Sequence, residues 1–252
     1  MSRDAPQRKD IKDRLRIALL ISGDGTTAQE IIRACKSRRL GAQPACIIAS
    51  RPDAGGIQKA LQEGMLQKDV LVIARKDYET TEAFGEAILK ACSERAVDII
   101  GQYGWMPKTP ANVIEAYSGR MINQHPGPLD PGRLDFGGKD MFGRRVHCAR
   151  LYYVRQDSQD FWTEATAQRV AAEYDLGAVL KTKRIEILPD DDPISLQQRV
   201  LPAEHEVQIE TLQDFANGRV QEIVREHPLV PPEKESLLAE AKRIAISLFP
   251  HG

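Results

Sequence analysis

Cysteine is scarce in this 252-residue chain, and the four present lie far apart as Cys35, Cys46, Cys92 and Cys148. No Cys-x-x-Cys pair occurs, which excludes zinc-ribbon and dithiol redox motifs. The pattern points to core or surface thiols in a reducing cytoplasm. Net charge is lacking as well: 35 Lys and Arg stand against 36 Asp and Glu, a formal −1. No electrostatic case therefore arises for nucleic acid or an anionic membrane as partner. No run approaches the roughly 18 consecutive apolar residues that a membrane span needs. The opening MSRDAPQRKDIKDRL has no apolar core, so a secretory signal is not expected. Internal repeats, low-complexity tracts and Gly/Ser linkers are also absent. What is present is an ordinary soluble composition, 42% hydrophobic and 28% charged, long enough to bury a substantial core.

The patterning of that composition predicts an α/β fold. Arg16 to Ser22 (RIALLIS) is an apolar run that ends in Gly23-Asp24-Gly25. A helical pattern follows, with Ala28, Ile31, Ile32 and Cys35 on one face and a capping-box spacing at Thr27 and Glu30. Strands are predicted at Ala45–Ser50, Asp69–Ala74, Val97–Gly101 and Arg120–Asn123, with helices at Gly55–Glu63 and Glu79–Arg95 between them. This alternation predicts a doubly wound, mostly parallel sheet covered on both faces. Further along, Val146–Val154 reads as a strand, Phe161–Tyr174 as a helix and Ala178–Leu188 as a strand. Asp192-Pro193 opens a helix to about Asn217-Gly218, and Pro231-Pro232 opens a C-terminal helix through Leu248. The expected division is a polar tail over 1–14, a catalytic domain over 15–220 and a C-terminal helical extension over 221–252.

Three places could carry chemistry. Ser22 to Thr27 joins the first strand to its helix, and free N–H groups there would suit a phosphate or carboxylate. The same turn reads equally as a tight connection capped by Thr27. It is not the dinucleotide fingerprint, because position 28 is Ala28 rather than glycine. Asn123-Gln124-His125-Pro126 lies at the carboxyl end of a short strand, where open parallel sheets bind ligands. An asparagine amide can donate to a developing oxyanion and a histidine can act as acid or base, and two-residue spacing puts both on one face. On its own, such a pair fits a structural histidine at a strand end. Asp175, in Glu173-Tyr174-Asp175-Leu176-Gly177, could orient that imidazole, or could simply end a helix in an Asp-x-Gly turn.

Taken together and in order, these segments carry a resemblance. LLISGDGTTAQEIIRAC, IIASRPDAGGIQKALQEG and DIIGQYGWMPKTPANVIEAYSGRMINQHPGPL, with weaker echoes in GRRVH, YDLGAVL and PDDDPISLQQRVLPAEHEVQ, are similar to the folate-dependent formyltransferases. The likeness spans about residues 15 to 220 and is strongest to the branch that formylates glycinamide ribonucleotide. It implies that a primary amine attacks the formyl carbon of 10-formyltetrahydrofolate, with no metal required. By that resemblance Asn123, His125 and Asp175 are the catalytic trio: Asn123 donates to the oxyanion, His125 polarises the formyl oxygen, and Asp175 holds His125 and a proton-relaying water. Met106, Pro107, Lys108 and Thr109 match the segment whose backbone recognises the pterin. Gly25, Thr26 and Thr27 match the phosphate loop, and Glu204 matches a carboxylate on the ribose. The implied partner is a small-molecule amine acceptor, phosphorylated in the first candidate, and a homodimer is compatible with the sequence.

Departures from the family pattern concentrate on substrate contacts. Asp24 replaces an asparagine in the phosphate loop and would weaken anion binding unless its carboxylate turns away. Thr81 stands where an arginine is common near the folate, and Leu201 where a polar contact is expected. Gly127 to Pro131, Leu134 to Arg145 and an apparent inserted helix at Gln156–Ala172 also depart. Two alternatives follow: a paralogue that formylates an amino sugar or amino acid, and a non-catalytic folate- or nucleotide-binding relative. Methionyl-tRNA is disfavoured by the neutral charge and by the lack of an OB-like C-terminal domain.

Overall fold

The computed structural model of the chain describes residues 14–252, so the polar tail expected over 1–14 lies outside the described residues apart from Arg14. The first half alternates β1 (Leu15–Ile21), α1 (Thr26–Lys36), β2 (Ala42–Ala49), α2 (Gly55–Gln62), β3 (Val70–Val72), α3 (Thr81–Ser93), β4 (Ile99–Gln102), α4 (Ala111–Ala116) and β5 (Met121–His125). In β1, Ile17, Leu19 and Ile21 enter one apolar layer while Ala18 and Leu20 enter the other. Burial on both faces is why this strand is a continuous apolar run rather than an alternating one. The layer beneath Ile17 includes α1 and α2 residues with Ile209 and Leu212, and the opposite layer is built on Phe84 and Ile88 of α3 and Val113 of α4.

The seven strands lie in the order β3-β2-β1-β4-β5-β6-β7. The first five are parallel, and β6 (Trp162–Arg169) and β7 (Val179–Glu186) continue the sheet antiparallel. The predicted doubly wound α/β class therefore holds. Two elements differ from expectation. Residues 146–154 are not a strand but part of α5 (Arg144–Asp157), and residues 161–174 are not a helix: β6 occupies most of them. The inserted helix at 156–172 is accordingly absent, since only the end of α5 reaches that stretch. The capping box at Thr27 and Glu30 does not form either: Gly25, at φ 61°, takes the N-cap position of α1 and no side chain caps it.

The sheet is closed by α6 (Pro193–Ala216), on which Asp192 forms a reciprocal cap. Its carboxylate accepts the N–H groups of Ile194 and Ser195, and Ser195 Oγ accepts the N–H of Asp192. Pro231-Pro232 introduces a 3-10 turn and then α7 (Glu235–Leu248), which buries Leu238, Ala241 and Ala245 against α5. Among the described residues no helix is long and apolar enough to cross a membrane. Because α6 carries Glu204 to the sheet edge, its start matters for the site. Asp192→Ala should lower unfolding free energy by about 1 kcal/mol in denaturant titration; an unchanged midpoint would show that the cap is redundant.

Candidate active site

The carboxyl end of β5 presents Asn123 and His125 two residues apart, and the antiparallel neighbour β6 sets Gln168 opposite Asn123 and Thr166 opposite His125. Residues after β6 then bring Asp175 back to the same edge. His125 is 2% exposed, and its Nδ1 lies 3.5 Å from Asp175 Oδ2. Its Nε2 is buried without a hydrogen-bond partner among the described residues. A buried nitrogen left unpaired costs free energy unless something else meets it, and His125 lines a cavity from which a bound molecule could do so.

The Asp175 carboxylate is held on both oxygens. Gln168 Nε2 donates to Oδ1 at 2.6 Å and the Gly138 N–H donates to Oδ2 at 2.9 Å. Asp175 itself sits at φ 58°, a conformation uncommon for a residue with a side chain, and these bonds help to hold it there. The sequence reading missed Gln168 and Gly138. Gln168 was hidden because its segment reads as a helix by composition, and only the β5–β6 register places it beside Asn123.

A cavity of about 450 Å³ opens over this group, lined by Asn123, His125, Asp175, Glu204, Met106 and His147 among others. Thus the structure gathers the trio with Glu204 at one site. Burial pushes the Glu204 carboxyl up to about 7, partly opposed by the hydrogen bond that Gln124 Nε2 donates to it at 2.8 Å. His147 was not singled out in the sequence. It is 1% exposed with both ring nitrogens unpartnered among the described residues, and burial, with His125 nearby, pulls it down to about 3. Both groups are thereby driven toward neutrality, as expected where water is excluded.

Met106 to Thr109 border two further openings. A cleft shared by Pro107, Lys108 and Thr109 with Asn123 and Asp175 leads to a pocket of about 690 Å³ lined by all four residues with Arg51, Arg75 and Thr81. Ser22 Oγ fixes this segment by accepting the Met106 N–H at 2.9 Å. Arg75, whose side chain reaches Thr81, stands in this pocket and supplies the positive charge that Thr81 lacks. Gly25, Thr26 and Thr27 line none of these three spaces, and Thr27 is buried. Asp24 Oδ1 lies beside Gly55, the first residue of α2, so close that a Cβ there would come within 2.8 Å of it. Its charge thus faces a helix N-terminus, where it is favourable.

The Glu204 and His147 shifts have opposite consequences for stability. Glu204 binds its proton more tightly in the folded chain, so its contribution is full below pH 4.5 and is lost as pH rises through about 7. His147 holds its proton less tightly when folded, so its contribution is present above 6.5 and is lost as pH falls toward 3. Glu204→Gln should therefore raise stability at pH 8 by up to about 3 kcal/mol and flatten the curve between pH 4.5 and 7. A variant that retains the wild-type slope over that interval would place the titration elsewhere.

The family model described as Formyl transferase matches residues 15–212. The phosphoribosylglycinamide formyltransferase of Haemophilus influenzae is 28% identical over 205 residues, covering 81% of this chain and 89% of that protein. The chloroplastic phosphoribosylglycinamide formyltransferase of Arabidopsis thaliana is 26% identical over 208 residues, covering 82% of this chain and 67% of that protein. Among solved structures, the phosphoribosylglycinamide formyltransferase of Brucella melitensis aligns with a TM-score of 0.69 at 30% identity, covering 83% of this chain and 100% of that one. Glycinamide ribonucleotide transformylase 1 of Symbiobacterium toebii aligns with a TM-score of 0.72 at 26% identity, covering 87% of this chain and all of that one. With most of its length matched, the chain belongs to the formyl transferase family and is a formyltransferase enzyme.

Proposed function

We propose that the protein transfers the formyl group of 10-formyltetrahydrofolate to the primary amine of glycinamide ribonucleotide. The observation that carries the reading is the convergence of Asn123, His125 and Asp175 on one cavity, with His125 Nδ1 toward the carboxylate and Nε2 free for substrate. The acceptor nitrogen forms a bond to the formyl carbon and its oxygen takes negative charge. The Asn123 amide donates to that oxygen, and His125 polarises it from the other ring nitrogen. Asp175 orients the imidazole and a water that carries the proton from the acceptor nitrogen to the leaving folate nitrogen. The carbon–nitrogen bond to folate then breaks, giving a formamide and tetrahydrofolate. Oxyanion donors and acid–base help of this kind each supply a few kcal/mol.

The folate would approach along Met106 to Thr109, its ring system entering the cleft beside Asn123. Its anionic tail would meet Arg51, Arg75 and Lys108 in the wide pocket. On the acceptor side, Glu204 and Gln124 would take the sugar hydroxyls, and the N-terminus of α1 at Gly25 to Thr27 would take the phosphate. One observation favours a second acceptor reading, an amine without phosphate such as an amino sugar or amino acid. The phosphate loop lines none of the three spaces at the site, and Leu201 gives the acceptor wall an apolar side chain.

Release of tetrahydrofolate, followed with glycinamide ribonucleotide, its dephosphorylated riboside and a panel of other amines, separates these readings. The ribonucleotide is expected to give the highest kcat/KM. A preference for the riboside or for another amine would move the acceptor assignment, and silence across the panel would reject the transferase mechanism. His125→Ala and Asp175→Asn should each lower kcat by about 10²- to 10⁴-fold while leaving the fold intact by circular dichroism. Wild-type rates in either variant would remove that residue from the chemistry.

A further inference from the structure

Helix α7 lies beyond the span matched to the family, yet it reaches the candidate catalytic centre. Lys242, half-buried on the helix, donates from Nζ to the carbonyl oxygen of Gly137 at 2.7 Å. That carbonyl belongs to the same peptide unit as the Gly138 N–H, which donates to Asp175 Oδ2 at 2.9 Å. One peptide plane therefore joins the lysine on α7 to the carboxylate that faces His125. On the far side of Gly137, its own N–H donates to Asp135 Oδ1 at 2.9 Å.

The two glycines make this link tight and leave its peptide plane without side-chain constraint. A Cβ on Gly137 would come within 2.7 Å of Asp175 Cβ, so no larger residue fits between loop and carboxylate. Gly138 is at φ 100°, and with no side chain on Gly137 or Gly138, the orientation of the peptide plane is set by its hydrogen bonds to Lys242 and Asp175. A rotation of the plane would aim the carbonyl oxygen, rather than the N–H, at Asp175. A cation on the carbonyl opposes that rotation and polarises the peptide, which strengthens its N–H as a donor. Burial pulls the Lys242 ammonium below the ordinary lysine value, opposed by the negative charges of Asp135 and Asp175. The C-terminal segment makes a second tie to the same loop. Arg145 donates to the carbonyls of Phe249 and Pro250 at 2.8 Å each and stacks on Phe142, a residue of the cavity wall.

We propose that Lys242 is a positioning residue for formyl transfer, pinning the Gly137–Gly138 peptide so that its N–H holds Asp175 against His125. This rests on the function proposed above. The test compares Lys242→Met, Lys242→Arg and, as a control on the solvent side of the same helix, Arg243→Met. In full-length protein the Gly138 amide resonance is followed by NMR beside steady-state formyl transfer. Lys242→Met is expected to lower kcat about tenfold with the KM of each substrate within about twofold. The Gly138 amide should move upfield in Lys242→Met, as in Asp175→Ala. Lys242→Arg should restore both the amide position and most of kcat, and Arg243→Met should leave both at wild type. An unmoved Gly138 amide in Lys242→Met, an unchanged kcat, or an arginine variant that restores neither would overturn the proposal. If the wild-type protein failed to formylate any amine, the functional reading would fall. The amide resonance would still decide whether Lys242 sets the peptide.

Discussion

A carboxylate kept away from water needs donors, and the arrangement of this molecule around Asp175 follows from that need. Its side chain is about one-tenth exposed, yet it meets an amide on Oδ1, a backbone N–H on Oδ2 and the imidazole of His125. Each partner comes from a different part of the chain: Gln168 from β6, Gly138 from the loop before α5, and His125 from β5. The carboxylate can be satisfied only if all three are assembled. The antiparallel addition of β6 to a parallel sheet is what makes this possible, because it sets Gln168 beside Asn123, and the segment after β6 brings Asp175 back to Gln168.

Desolvation shapes the rest of the cavity in the opposite sense. Burial drives Glu204 toward its protonated form and His147 toward its unprotonated form, so each carries less charge at the wall than it would in water. Neutral polar groups can adapt to a substrate as donors or acceptors without repelling its charges. Low polarity around them also strengthens the interaction between His125 and Asp175, since less solvent competes for either. His125 Nε2, without a partner among the described residues, is desolvated by the same burial, so under the proposed function a substrate atom that meets it would have little water to displace.

What was legible in the sequence follows from how each element is buried. RIALLIS and ACIIAS announce themselves because strands buried on both faces tolerate little except apolar side chains. VHCARLYYV misleads because α5 is buried nearly all round, including Arg145, His147 and Arg150, so its pattern carries no clear helical stripe. WTEATAQR misleads in the other direction. Its Ala, Glu and Gln favour a helix locally, but two neighbouring strands and buried partners decide otherwise, as in the ion pair of Glu164 with Arg225. Asn123 and His125 are visible by spacing alone. Asp175 becomes visible through its family resemblance, and Gln168, Gly138 and Lys242 only through registers and contacts that no local pattern encodes.

The departures at the substrate end also acquire a physical order. The proposed catalytic residues come from β5, where sheet register places Asn123 and His125, and from the turn after β6, where hydrogen bonds from Gln168 and Gly138 hold Asp175. Leu201 lies within α6, whereas most of the residues that differ from the family stand on helix starts and connecting loops: Asp24 before α1, Thr81 at the start of α3, and the stretch that leads into α5. Such positions can change without disturbing the register of the sheet. Arg75 illustrates the tolerance, because it brings a guanidinium to the pocket that Thr81 leaves uncharged. The loop before α5 is less free, since its Gly137–Gly138 peptide touches both the carboxylate and α7. A loop tied to a C-terminal helix can diverge in sequence while its backbone remains where the imidazole requires it.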